Sequence, residues 1–152
     1  MNMDSQAPNK VFGQWAKEKR FFGDDIKLKP ECKYANSRFD FYIESGERRI
    51  FVEVKGVTLE NNGVVSFPDA PTERGVKHLK ELVSAVKNGY EAYVFFIVQM
   101  EKCRYFEPNS ENDPLFSETL TIANKNELKV YALSCNVTED TLEAQDFVEV
   151  RI

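Results

Sequence analysis

In the stretch SRFDFYIESGERRIFVEVKGVTL (residues 37–59), Asp40, Glu53 and Lys55 are set among Phe, Val and Ile in two alternating runs around a short polar turn. A turn centred on Gly46-Glu47, whether of two residues or of four, gives one register: 44 faces 49, 42 faces 51 and 40 faces 53. Asp40 and Glu53 are then opposed, and Arg38 is opposed to Lys55. Directly opposed residues have Cβ atoms roughly 4.5–5.5 Å apart, where two bare carboxylates repel. A hard divalent cation between them removes the repulsion, because Mg²⁺ prefers carboxylate and water oxygens. Lys55, two residues beyond Glu53 and on the same side, reaches a phosphate or a water on that ion. The chemistry suited to such a set is metal-assisted phosphodiester hydrolysis, with Mg²⁺ or Mn²⁺ as cofactor. The alternative on these residues alone is a solvated charge ladder in which Asp40 and Glu53 pair with Arg38 and Lys55.

Positioning these groups requires a hairpin whose other face is core. The pleat assigns Phe39, Phe41, Ile43, Ile50, Val52 and Val54 to that face. Around it, Val11, Phe12, Trp15, Ala16 and Lys19 recur at helical spacing after Pro8 and Asn9, and Gly23 lies near the helix end. Residues 26–34 alternate as a strand, and the hairpin strands cover about 37–44 and 49–59. Asn62-Gly63 is a hairpin turn leading into a strand at 64–67. Pro71 and Thr72 open a second helix with Val76, Leu79, Leu82, Val83 and Val86 apolar and Gly89 at its close. The run AYVFFIVQ (92–99) reads as a strand buried on both faces. A loop at 108–114, a helix at 115–125 and strands at 128–134 and 146–152 finish the chain. The order αβββαβαββ predicts an α/β domain with a mixed central sheet flanked by helices.

The 152 residues suit one domain, with 42% hydrophobic and 30% charged residues. No apolar run is long enough to span a membrane, and the polar first ten residues are not a signal peptide. Cys32, Cys103 and Cys135 are widely spaced and predict buried free thiols in a cytoplasmic protein. The net charge is −5, but residues 101–152 hold 5 Lys/Arg against 11 Asp/Glu, whereas residues 1–100 hold 15 against 14. The part containing the hairpin is therefore near neutral, which leaves room for local phosphate-binding patches.

Arg74, Lys77 and His78 are three and four residues apart, on a side of the second helix away from its apolar stripe. They read either as a solvated face or as phosphate contacts, and His78 is the sole histidine. Lys17, Lys19 and Arg20 suit the C-terminal dipole of the first helix before any backbone phosphate. Trp15, Phe21 and Phe22 read as core.

The segments SRFDF, FVEVKGVTL and especially FPDAPTERGVKHLKEL (67–82), with QAPNKV and ECKY upstream, closely resemble the sugar fermentation stimulation protein A family. The resemblance implies a PD-(D/E)xK restriction-endonuclease-like core and nucleic-acid binding, with a regulatory role. Its acid and D/E-x-K pattern falls on Asp40, Glu53 and Lys55, with Glu31 as an additional acid. It also implies an OB-like domain ahead of this region. The domain division expected is a tail or linker at 1–8 and one nuclease-like domain at 9–152. The expected metal ligands are Asp40, Glu53, the Val54 carbonyl and Glu31. Nucleic-acid contacts are expected from Arg38, Arg74, Lys77 and His78. DNA is the expected partner, with RNA as an alternative, no membrane, and a homodimer among the open oligomeric states. The competing functions are a non-catalytic DNA-binding regulator of sugar metabolism genes, and a protein-interaction or small-molecule sensing domain suited to the acidic tail.

Overall fold

A computed structural model describes residues 6–138 and 141–152. Helix α1 (Ala7–Glu18) comes first, followed by strands β1 (Ile26–Tyr34), β2 (Ser37–Ser45) and β3 (Arg48–Val57). Two short strands, β4 (Leu59–Asn61) and β5 (Val64–Phe67), lead to helix α2 (Glu73–Lys87). Then come β6 (Glu91–Val98), β7 (Tyr105–Pro108), α3 (Pro114–Lys125), β8 (Lys129–Val137) and β9 (Leu142–Val148). The main sheet has the order β1-β2-β3-β6-β8-β9, parallel at β3-β6 and β6-β8 and antiparallel elsewhere. A second sheet, β4-β5-β7, lies beside it. The expected mixed sheet flanked by helices is the observed architecture.

Strand β6 is where the two cores meet. Its residues Ala92, Val94, Phe96 and Val98 belong to one apolar cluster and Tyr93, Phe95 and Ile97 to another. Alternation therefore feeds both faces, as a continuous apolar run requires. Leu79, Leu82 and Ala85 of α2 cover the first face together with Phe116, Leu120 and Ala123 of α3. Val11, Phe12, Trp15 and Ala16 of α1 cover the second. Phe12 is fully buried, with its ring 4.8 Å from that of Phe95, so Phe12→Ala would cost about 3–5 kcal/mol.

Local chemistry fixes the helix starts. The Thr72 hydroxyl accepts from the Gly75 N–H at 2.9 Å, satisfying one orphan donor of α2. Asp113 does the same for α3 through Phe116 N–H at 3.0 Å, and its other oxygen accepts from Thr72 N–H at 2.8 Å. One buried carboxylate thus ties together the beginnings of two helices.

Several boundaries differ from the sequence reading. The final strand is Leu142–Val148 rather than 146–152, and β7 falls in a segment left without structure. The stretch 49–59 breaks into β3 and β4, which belong to different sheets. Helix α1 begins at Ala7, so Pro8 belongs to its first turn and not to a preceding tail. Residues 1–5 of that expected tail lie outside the described residues. Cys135 is buried as expected, but Cys32 and Cys103 are only partly so, and none forms a disulfide.

Candidate functional site

The hairpin register is the expected one from Ser45↔Arg48 to Phe41↔Val52, and there the β2-β3 ladder stops. Beyond it β3 remains paired with β6 from Ile50↔Glu91 to Val57↔Val98. Strand β2 instead continues along β1 to Tyr34↔Ser37. The two hairpin strands separate at Asp40 and Glu53. Arg38 consequently pairs with Lys33 of β1 and not with Lys55.

A second irregularity occurs at the same level. The β1-β2 register runs through Pro30↔Phe41 and resumes at Cys32↔Phe39, with Glu31 between at φ 54°. A left-handed backbone is uncommon outside glycine, and it marks a kink across the pair. The core faces exchange there. Phe41 and Ile43 pack with α1, whereas Phe39 packs with α2 and α3. The single core face drawn from alternation is corrected on this point, because Phe39 belongs to the opposite face.

Separated strands leave backbone donors without ladder partners, and such groups must be satisfied. Here the acids satisfy them. Asp40 Oδ2 accepts from Val54 N–H at 2.8 Å, and Glu53 Oε1 accepts from Asp40 N–H at 3.3 Å. Asn9 of α1 donates to Asp40 Oδ1 at 3.1 Å. Lys55 Nζ lies 2.9 Å from Glu53 Oε2, and His78 Nδ1 of α2 makes close contact with the same oxygen.

The two carboxylates differ in charge. Burial first, and then the neighbouring Glu53 charge, push the Asp40 carboxyl up to about 7. Burial works against Glu53 as well, but the hydrogen bond from His78 and the charge of Lys55 outweigh it and hold Glu53 at about 2. Glu53 is 2% exposed yet remains ionised. An acid so close to a fixed negative charge is one that a cation would ionise.

The donor set fits a hard cation in a specific way. A carboxylate offers about four acceptor sites. The contacts above use two of them on Asp40 and three on Glu53. Oxygen positions therefore remain on both acids. Among the described residues no group of three His, Cys, Asp or Glu side chains is placed to hold an ion. Two carboxylates with the remainder supplied by water and phosphate is the usual Mg²⁺ arrangement.

The other expected residues are placed as follows. Glu31 is exposed and lines the same groove as Asp40, on the wall opposite α1. Arg38 and Arg74 are exposed. Lys77 is exposed and donates to Asn36 O at 2.8 Å, clasping the turn between β1 and β2. His78 is not on their face. It is 6% exposed and turned into the sheet against Glu53. The buried face of α2 runs through Gly75, His78, Leu82 and Ala85. That i, i+3, i+4 series was available in the sequence and places His78 inside.

Asn9 was missed altogether, since a polar residue near a helix start reads as a cap. Gly56 was missed too. A Cβ there would come within 2.7 Å of Gln99 Nε2 and 2.9 Å of Pro8 Cγ. Glycine thus lets the start of α1 lie against β3 one residue after Lys55, which brings Asn9 to Asp40. The buried Gln99 Oε1 in this contact has no hydrogen-bond partner among the described residues.

Comparison with known proteins gives one family. The model described as "Sugar fermentation stimulation protein RE domain" matches residues 6–141. A sugar fermentation stimulation protein homolog of Desulfitobacterium hafniense is 58% identical over 100% of this chain and 66% of its own length. A homolog of Clostridium beijerinckii is 53% identical over 99% of this chain and 66% of its own. Among solved structures, one described as Pyrococcus furiosus SfsA in complex with Ca²⁺ superposes with a TM-score of 0.91. It is 26% identical and covers 98% of this chain and 66% of that one. The chain thus spans just under two thirds of these relatives' length.

Proposed function

The chain belongs to the sugar fermentation stimulation protein family, and on that premise we propose that it is a Mg²⁺-dependent phosphodiesterase of PD-(D/E)xK type acting on DNA. One observation carries the reading. Asp40 and Glu53 meet where β2 and β3 part, with Lys55 against Glu53. Both acids bond to backbone donors there and still keep oxygen positions for a cation, which supports a metal site beside the lysine. The relative described with Ca²⁺ supports a divalent-ion site in the family.

Asp40, Glu53 and the Val54 carbonyl hold the ion in this reading, with Glu31 beside a second. Mg²⁺ (or Mn²⁺) supplies a Lewis acid that lowers the pKa of water and neutralises phosphate charge. Lys55 places a positive charge where negative charge grows in the transition state. Asn9 orients Asp40, and His78 fixes Glu53 from the buried side. Arg38, Arg74 and Lys77 supply phosphate contacts at the exposed rim. No helix among the described residues is long and apolar enough to cross a membrane, and the three unbridged thiols fit a cytoplasmic location.

The test is thermal melting with and without Mg²⁺ or Mn²⁺. Wild type is expected to gain stability by mass action, and the double variant Asp40→Asn, Glu53→Gln is expected to gain none. Equal shifts would remove the site. A second reading is a DNA-binding regulator without cleavage; the relatives' name speaks of stimulating sugar fermentation, which suits a regulatory role. Wild type that binds metal and DNA but cuts neither single- nor double-stranded DNA or RNA would select it.

A further inference from the structure

Where two charged residues face each other across the β1-β2-β3 ladder, their signs are opposite, with one exception. Lys27 faces Glu44, and Glu44 faces Arg49. Toward the far end of β1, Lys33 faces Arg38, and like charges directly opposite destabilise a sheet. No other like-charged pair occurs in the ladders of the described residues. Both side chains are exposed, and no described carboxylate forms an ion pair with either. The backbone that carries them is tied to α2 at two points. Asn88 donates to the Tyr34 hydroxyl at 2.6 Å, and Lys77 donates to Asn36 O at 2.8 Å. Cys32, Tyr34 and Phe39 pack toward α2 and α3, so Lys33 and Arg38 project to the other face. That is the side from which Asn9 of α1 reaches Asp40. Arg38 is two residues from Asp40, roughly 6.7 Å along an extended strand.

Resting on the reading above, we propose that Lys33 and Arg38 together hold one backbone phosphate, the neighbour along the strand of the phosphate at Asp40 and Glu53. Opposed carboxylates call for a cation between them, and opposed cations call for an anion in the same way. Arg38 offers a planar fork that matches two phosphate oxygens, and Lys33 adds a point charge. Contacts of this kind fix the register of a strand and carry no sequence information. The substrate class is therefore a polynucleotide that continues past the scissile phosphate, since a small phosphodiester leaves the pair unused.

The experiment measures fluorescence anisotropy of a short labelled DNA duplex at low salt in EDTA, together with thermal melting, for wild type, Lys33→Glu and Lys27→Glu. Lys33→Glu gives the pair opposite charges. It is expected to raise the melting temperature by about 1–3 °C. It is also expected to weaken DNA binding about tenfold or more and to reduce the magnitude of the log–log salt slope by about 0.9. Lys27→Glu places like charges opposite each other at Glu44. It is expected to lower the melting temperature and to change DNA affinity by no more than about threefold. Both variants are expected to keep the wild-type Mg²⁺-induced melting shift. Wild-type affinity in Lys33→Glu overturns the inference, as does an equal loss in Lys27→Glu. Wild type that binds inorganic phosphate in calorimetry but no DNA overturns it too. In each of these cases a normal Mg²⁺ shift leaves the hydrolytic reading standing. The expected DNA losses without any Mg²⁺ shift in wild type overturn the hydrolytic reading alone.

Discussion

The two ends of the β2-β3 hairpin are built from similar sequence and do different things. At the turn end, Phe41–Ser45 pair with Arg48–Val52 through the backbone, and the polar side chains there, Ser45 and Arg48, bond outside the hairpin to Phe22 O and Glu91. At the other end the same two strands have parted, and carboxylates make the bonds that the backbone no longer makes. Acids at the turn end, such as Glu44 and Glu47, are exposed. Acids at the open end are drawn inside by unsatisfied N–H groups. Within this hairpin, a buried charge is given donors to hold it where strand pairing stops.

The contrast breaks most severely if Glu53 can be removed without loss. Glu53→Leu is expected to destabilise by about 3 kcal/mol, since it strands His78, Lys55 and the Asp40 N–H together. Urea denaturation checks this, and a cost no larger than that of an exposed substitution such as Glu44→Leu would equate the two ends. Next in size, Lys55→Ala is expected to slow DNA cleavage by about 100-fold, or about 2.7 kcal/mol in the barrier. Calorimetric titration should find its metal affinity nearly unchanged. Activity equal to wild type would assign the charge stabilisation to another group.

A third prediction separates the two acids by pH. In the folded protein Asp40 titrates at about 7, above its ordinary 3.8, so the native state binds this proton more tightly than the unfolded state. Its contribution to stability is present at low pH and is lost as pH rises from about 4 through 7. Glu53 has the opposite sign, contributing above its ordinary 4.5 and losing this as pH falls toward about 2. In EDTA, Asp40→Asn should gain on wild type by on the order of 2 kcal/mol between pH 4 and pH 8. A constant difference over that range would mean that the N–H donors of Val54 and Asn9 offset the neighbouring charge. The smallest effect belongs to the turn. Gly46 has φ 62° with nothing within 4 Å, so Gly46→Ala should cost about 1 kcal/mol and leave the metal-induced shift intact.

Much of this was legible in the sequence because it depends on local rules. Alternation around Gly46 fixed which residues face one another, and AYVFFIVQ announced a strand with two covered faces. What stayed hidden depends on departures from those rules. Phe39 changes faces because Glu31 adopts a left-handed backbone, and no residue type there signals it. Asp40 and Glu53 were singled out as opposed carboxylates. Their hydrogen bonds to the backbone follow from β3 leaving β2 to run with β6, a long-range choice. His78 was misplaced for a simpler reason. Counting only Val and Leu rotated the buried stripe of α2 away from Gly75 and Ala85, and a histidine on that face was read as solvent-facing.

The parallel pairing of β3 with β6 also orders events in time. The hairpin closes over a few residues, but Glu53 lies level with Val94, across the whole of α2. Contacts this distant in the chain form late, because loop closure precedes their reward. His78 reaches Glu53 only after that crossover helix has docked. In refolding from denaturant, tyrosine and tryptophan signals of the aromatic core should therefore recover no later than divalent-ion binding. An ion bound at Asp40 and Glu53 would then report the last step of folding.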